Sequence, residues 1–231
     1  MHYHSIVQGK FKSRPNRFIA MVEIDGRIEK VHVKNTGRCK ELLVPDAKVY
    51  LERSDNPERK TAYDLVAVMK GSRLINMDSQ LPNVAAYEWL SSGKFVENIE
   101  LVKREVTFGN SRFDLYFEYR NSKGEHKKAF MEVKGVTLED NGIVRFPDAP
   151  TERGIKHIRE LGECLKQGYE AFLLFVIQMK DVRFFEPDVK IHADFAEALK
   201  EAKKNGVKIL ARDCEVTPEN MEIKDEVEVR I

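Results

Sequence analysis

Cysteine is scarce in this chain, and its placement narrows the possibilities. Cys39, Cys164 and Cys214 are the only three in 231 residues, they lie far apart, and no Cys-x-x-Cys pair occurs. An odd, dispersed set of thiols excludes a disulfide scaffold and argues against a structural zinc site. Long apolar runs are missing as well. The longest, Ala171–Ile177, falls far short of the roughly 20 residues that cross a bilayer. The amino-terminal MHYHSIVQGKFKSR lacks the apolar centre of a secretory signal. With 42% hydrophobic residues the chain is too apolar to be disordered or fibrous. These absences point to a cytoplasmic globular protein with no membrane partner.

Net charge is also nearly absent, at +1 from 39 Lys+Arg and 38 Asp+Glu. The balance hides an asymmetry: residues 1–80 carry +5 and residues 81–231 carry −4. Between Gln8 and Lys40 nine basic residues face three acidic ones. A basic front on an acidic back fits a polyanion partner, nucleic acid being the usual one; a solvated charged face is the plain alternative. Four glutamines among so many charged residues also resemble thermophile composition.

The first 80 residues read as short strands between turns. FIAMVEI runs into Asp25-Gly26, a hairpin signal, and then into RIEKVHV. AKVYLERS and TAYDLVAVMKG are further strands, and TGRCKELL reads as one short helix between strands. The expectation is a small barrel of the oligonucleotide-binding (OB) type over residues 1–81. From residue 82 to 231 the pattern becomes mixed α/β. Asn83 is expected to cap a helix VAAYEWLSS, followed by strands at ELVKREVTF, RFDLYFEY and KAFMEVKGVTL. Thr151 opens a helix with apolar Ile155, Ile158, Leu161 and Leu165. AFLLFVIQM reads as a strand buried on both faces, ADFAEALKEAKKN as a helix and VKILAR as a last strand.

The chemistry gathers around the turn Asn121–Gly124. In KAFMEVK, Phe130, Glu132 and Lys134 alternate onto one face. A hairpin centred on Lys123 pairs positions summing to 246, which sets Asp114 opposite Glu132 on a shared face with Cβ atoms roughly 5 Å apart. Two carboxylates that close repel unless a cation or a shared proton holds them. A divalent metal, Mg2+ or Mn2+, is the economical answer, and Lys134 would orient a water or stabilise charge on phosphate. The competing reading is an ordinary Glu-x-Lys surface pair. In FPDAPTERGIKHIREL, Arg153, Lys156 and His157 share a face opposite the apolar stripe, in the first turns of a helix where phosphate is favoured. Arg14, Arg17 and Arg38 are further candidate phosphate contacts, with Phe11 and Phe18 as stacking candidates or core.

NTGRCKELL, SRFDLYFE, MEVKGVTL and FPDAPTERGIKHIREL together resemble the sugar fermentation stimulation protein family over essentially the whole chain. The resemblance implies an OB-like barrel joined to a restriction-endonuclease-like domain of the PD-(D/E)-x-K type, with DNA binding and a link to sugar-utilisation genes. It places the motif on Asp114 and on Glu132-Val133-Lys134, although Phe113 stands where that motif has proline. It also implies an acid on the core's first helix, where Glu88 is the match and Glu105, on a strand, the rival. Two functions stay open: a metal-dependent nuclease, and a DNA-binding regulator that keeps the scaffold without cleaving. The expected partner is DNA, or RNA, bound with sequence tolerance; no organic cofactor is implied, and a homodimer is the default oligomer.

Overall fold

The computed structural model describes residues 2–35 and 37–231, so Thr36, inside the expected helix TGRCKELL, lies outside the described residues. Six strands form the front: β1 (Ile6–Asn16), β2 (Ile19–Ile24), β3 (Arg27–Val33), β4 (Lys48–Arg53), β5 (Tyr63–Lys70) and β6 (Arg73–Asn76). They run in the order β3-β2-β1-β4-β5-β6, and a parallel β3–β5 pairing closes the first five into a barrel. Asp25 and Gly26 take positive φ in the β2–β3 turn, as a tight hairpin requires. Apolar alternation fills the barrel with Phe11, Val22, Val31, Leu51 and Leu65. The helix expected at TGRCKELL is absent among its described residues. Cys39 sits at φ 45° and its carbonyl accepts from Leu42 and Leu43, so the segment makes a turn around two buried leucines.

Behind the barrel stands a mixed sheet in the order β15-β14-β12-β9-β8-β7. Its strands are β7 (Ile99–Phe108), β8 (Ser111–Arg120), β9 (His126–Val136), β12 (Glu170–Ile177), β14 (Lys208–Val216) and β15 (Met221–Glu226). β9, β12 and β14 are parallel, and β7, β8 and β9 form an antiparallel meander. A small sheet of β10 (Leu138–Asp140), β11 (Ile143–Phe146) and β13 (Phe184–Pro187) flanks it. Among the described residues three helices complete the fold: α1 (Leu81–Ser91), α2 (Glu152–Lys166) and α3 (Ala193–Lys204). Among the described residues no helix is long and apolar enough to cross a membrane.

Sheet alternation sorts β9 between two cores. Ala129, Met131 and Val133 pack with α1 through Leu81, Ala85, Ala86 and Leu90. Phe130 and Val136 pack on the other face with Ile155, Ile158 and Leu161 of α2. Glu132 and Lys134 fall between those two positions and therefore on the α2 face. Thr151 caps α2 as the sequence predicts, its Oγ1 accepting from Gly154 N at 3.0 Å. Asn83 does not cap α1. The helix begins at Leu81, three residues before the expected Val84, with Pro82 in its first turn and Gln80 at the cap position, which leaves the Asn83 amide free for another task.

Candidate metal centre

The β8–β9 ladder runs from Arg120↔His126 to Leu115↔Met131, every pair on the register that the symmetric turn predicts. The next step would oppose Asp114 and Glu132, and there the ladder stops. Phe113 packs with Phe130 on the α2 side whereas Leu115 and Phe117 lie on the α1 side, so β8 changes face across Asp114. The Asp114 side chain fills the gap: Oδ2 accepts from Val133 N at 2.8 Å and Oδ1 from Asn83 Nδ2 at 2.7 Å. Asn83 was the residue that sequence pattern misassigned. A polar side chain early in a helix looks the same whether it caps that helix or reaches across to a strand.

Glu132 is buried, 2% exposed. Its Oε1 receives the Lys134 ammonium at 2.6 Å and also contacts His157 Nδ1. Its Oε2 is buried with no hydrogen-bond partner. Burial opposes ionisation of Glu132, but the contacts from His157 and Lys134 outweigh it and hold the carboxyl below its ordinary range. Asp114 moves the other way. Burial, and then the neighbouring Glu132 charge, push its pKa up to about 6 against the Val133, Lys134 and Asn83 contributions. Asp114 thus feels the negative charge of the carboxylate that the hairpin register sets beside it.

The other expected residues divide. Glu88 is not brought to Asp114: it lines a separate hollow with His2, Trp89, Lys94 and Glu222. It lies five residues beyond Asn83, roughly 7.5 Å along the helix and 140° around it. Glu105 stands beside Asp114 in the β7–β8 register, but at φ 56° its side chain turns outward, 3.6 Å from Arg112. Among the described residues no three His, Cys, Asp or Glu side chains converge as a metal cage. His157 is buried on Glu132 rather than displayed opposite the apolar stripe, which corrects its assignment as a phosphate contact. Arg153 and Lys156 are exposed on the same helix, Lys156 reaching Asn110 O at 3.1 Å. Arg14 is also corrected, because its Nη atoms donate to the carbonyls of Arg17, Asn35, Gly37 and Arg38, which leaves them none for phosphate. Arg17 and Arg38 are exposed. The Arg17 guanidinium lies 4.7 Å from the ring centroid of Phe18, itself 44% exposed, while Phe11 is core.

A hollow leads from Asn35 and Gly37 of the barrel to Gly135 and Val136 of β9, walled by Pro147–Thr151. It reaches the strand that bears Glu132 and Lys134 and joins the two halves of the molecule.

Comparison with known proteins covers nearly the whole chain. The model of the "SfsA N-terminal OB domain" matches residues 13–77, and that of the "Sugar fermentation stimulation protein RE domain" matches residues 80–220. A sugar fermentation stimulation protein homolog of Clostridium beijerinckii is 56% identical over 229 residues, 99% of each chain. One from Desulfitobacterium hafniense strain Y51 is 56% identical over 231 residues, covering 100% of this chain and 99% of its own. A solved structure of Pyrococcus furiosus SfsA, described as in complex with Ca2+, superposes with a TM-score of 0.86 at 30% identity over 100% of this chain and 98% of that one.

Proposed function

The chain belongs to the sugar fermentation stimulation protein family, and from that premise we propose that it binds nucleic acid through its basic barrel and hydrolyses phosphodiesters at a divalent-cation site held by Asp114 and Glu132. The observation that carries this reading is the partnerless Glu132 Oε2, buried in an ionised carboxylate beside a second acid. A buried acceptor without a partner is costly, and a hard cation is the ligand that two carboxylate oxygens satisfy. The Ca2+ in the Pyrococcus furiosus relative supports the same chemistry. Two carboxylates suit Mg2+ or Mn2+, because Mg2+ keeps several waters and takes phosphate oxygens to complete its shell. Bound there, the ion would supply Lewis acidity toward a phosphate oxygen and lower the pKa of a water.

The chain's own residues do the rest. Asp114, fixed at both oxygens by Asn83 and Val133, is oriented before any ligand arrives. Lys134, on the same face as Glu132, holds a positive charge next to the reacting phosphate. Arg17, Arg38, Arg153 and Lys156 neutralise the backbone without reading bases, which makes binding tolerant of sequence and sensitive to salt. Gel analysis of single- and double-stranded DNA and RNA with Mn2+ or EDTA tests the reading. Metal-dependent cleavage that Asp114→Asn abolishes, with binding retained, is the expected result; a mobility shift without cleavage under any metal defeats the nuclease part.

That second outcome corresponds to a non-cleaving DNA-binding regulator. One observation favours it: the helix residue that meets Asp114 is the amide Asn83, where the resemblance implies an acid.

A further inference from the structure

We propose that His157 is the positioning residue that decides which oxygen of Glu132 faces the site. The inference rests on Asp114 and Glu132 holding a cation, and it concerns how α2 prepares one of them. Two hydrogen-bond constraints fix the imidazole. Arg153 Nε lies 3.4 Å from His157 Nε2, and a guanidinium only donates, so Nε2 must accept. On the other side Nδ1 meets the Glu132 carboxylate, which only accepts, so the proton sits on Nδ1. Both contacts are met by one arrangement, with Nδ1 donating and Nε2 accepting.

The consequence falls on Glu132. His157 and Lys134 both occupy Oε1, one from α2 and one from β9 itself, so both hydrogen bonds go to a single oxygen. Oε2 is left buried and unpaired. Lys134 alone cannot enforce this, because a flexible ammonium on the same strand can follow either oxygen. His157 can, because it is 6% exposed and its ring is packed edge-on against Phe113 at 6.2 Å between centroids. The helix that carries it is held to the sheet by Ile155, Ile158 and Leu161. An outer group that orients a ligating carboxylate is typical of metal sites.

Ca2+ titration of the full-length chain by calorimetry tests this. Replacing His157 by Leu keeps an apolar filler against Phe113 but removes the donor; affinity should fall roughly 10–100-fold, the usual cost of losing such an orienting partner. His157→Asn, whose amide nitrogen replaces Nδ1–H, should recover most of the loss. A metal-free crystal structure of His157→Leu should show Glu132 rotated, with Oε2 no longer unpaired. The proposal is overturned by wild-type Ca2+ affinity in His157→Leu, by His157→Asn failing as badly as Leu, or by an unmoved Glu132. Asp114→Asn separates the two levels. If it abolishes Ca2+ binding while His157→Leu does not, only the positioning role falls; if the wild-type chain takes up no Ca2+, the cation site falls and the positioning role with it.

Discussion

A guanidinium can serve the fold or a ligand, and Arg14 serves the fold. Its four carbonyl contacts tie the turn after β1 to the loop after β3, the two segments that display Arg17 and Arg38. Arg14→Ala should therefore lower the melting temperature and weaken nucleic-acid binding only through a disordered loop. Arg17→Ala and Arg38→Ala should melt like the parent and each flatten the salt dependence of binding by about one phosphate contact. Equal melting temperatures for Arg14→Ala and Arg17→Ala would refute the division. At this scale the sequence separates poorly: three arginines in one basic stretch look alike, because what distinguishes them is which carbonyls the loops bring near. Glu88 and Asn83 differ in the same way. An acid on the first helix is visible in the sequence, whereas the face that helix turns toward β8 depends on where it starts, and Pro82 starts it earlier than Asn83 implied.

Elements with strong periodicity were legible. The register of β8 and β9 followed from turn symmetry alone, and α2 from apolar spacing and its Thr151 cap. The pieces that went unread are β1, β6, β10, β11, β13 and β15. Five of these have six residues or fewer and too little alternation to register, and β1 is bent by two irregularities in its pairing with β2. β9 and α1 meet at Gly135, where a Cβ would lie 2.5 Å from Gln178 Oε1 and 2.8 Å from Pro82 Cγ. Neither neighbour yields easily. Gln178 donates to Asn76 and Asp78, and Pro82 is locked in the first turn of α1. Gly135→Ala should cost about 1–3 kcal/mol in denaturant unfolding, the range for overpacking a filled site. An unchanged midpoint would mean that α1 shifts freely, and with it Asn83 and its hold on Asp114.

The barrel and the sheet behave as one body because polar clusters join them as well as apolar packing. One is centred on Gln178, with Asn76, Asp78, Tyr3 and Lys34. The other is centred on Glu139 of β10, whose carboxylate takes Lys70 at 2.8 Å and Arg73 at 2.7 Å from the barrel's β5 and β6, and Gly142 N from its own turn. Burial opposes ionisation of Glu139, yet those three donors prevail and its pKa is lowered. A carboxyl depressed in the fold contributes stability above its unfolded value, near 4.5, and loses it as pH falls through the lower folded value. Acid should therefore loosen the barrel from the sheet. Glu139→Gln removes the charge at every pH, so it should be less stable than the parent by about 1–3 kcal/mol near pH 7. The two stability curves should then converge as the parent's Glu139 protonates below pH 4.5. Urea unfolding of both proteins at a series of pH values between roughly 7 and 3 measures the gap. A gap that stays constant down to the most acidic point would show that the Glu139 charge does not hold the two halves together.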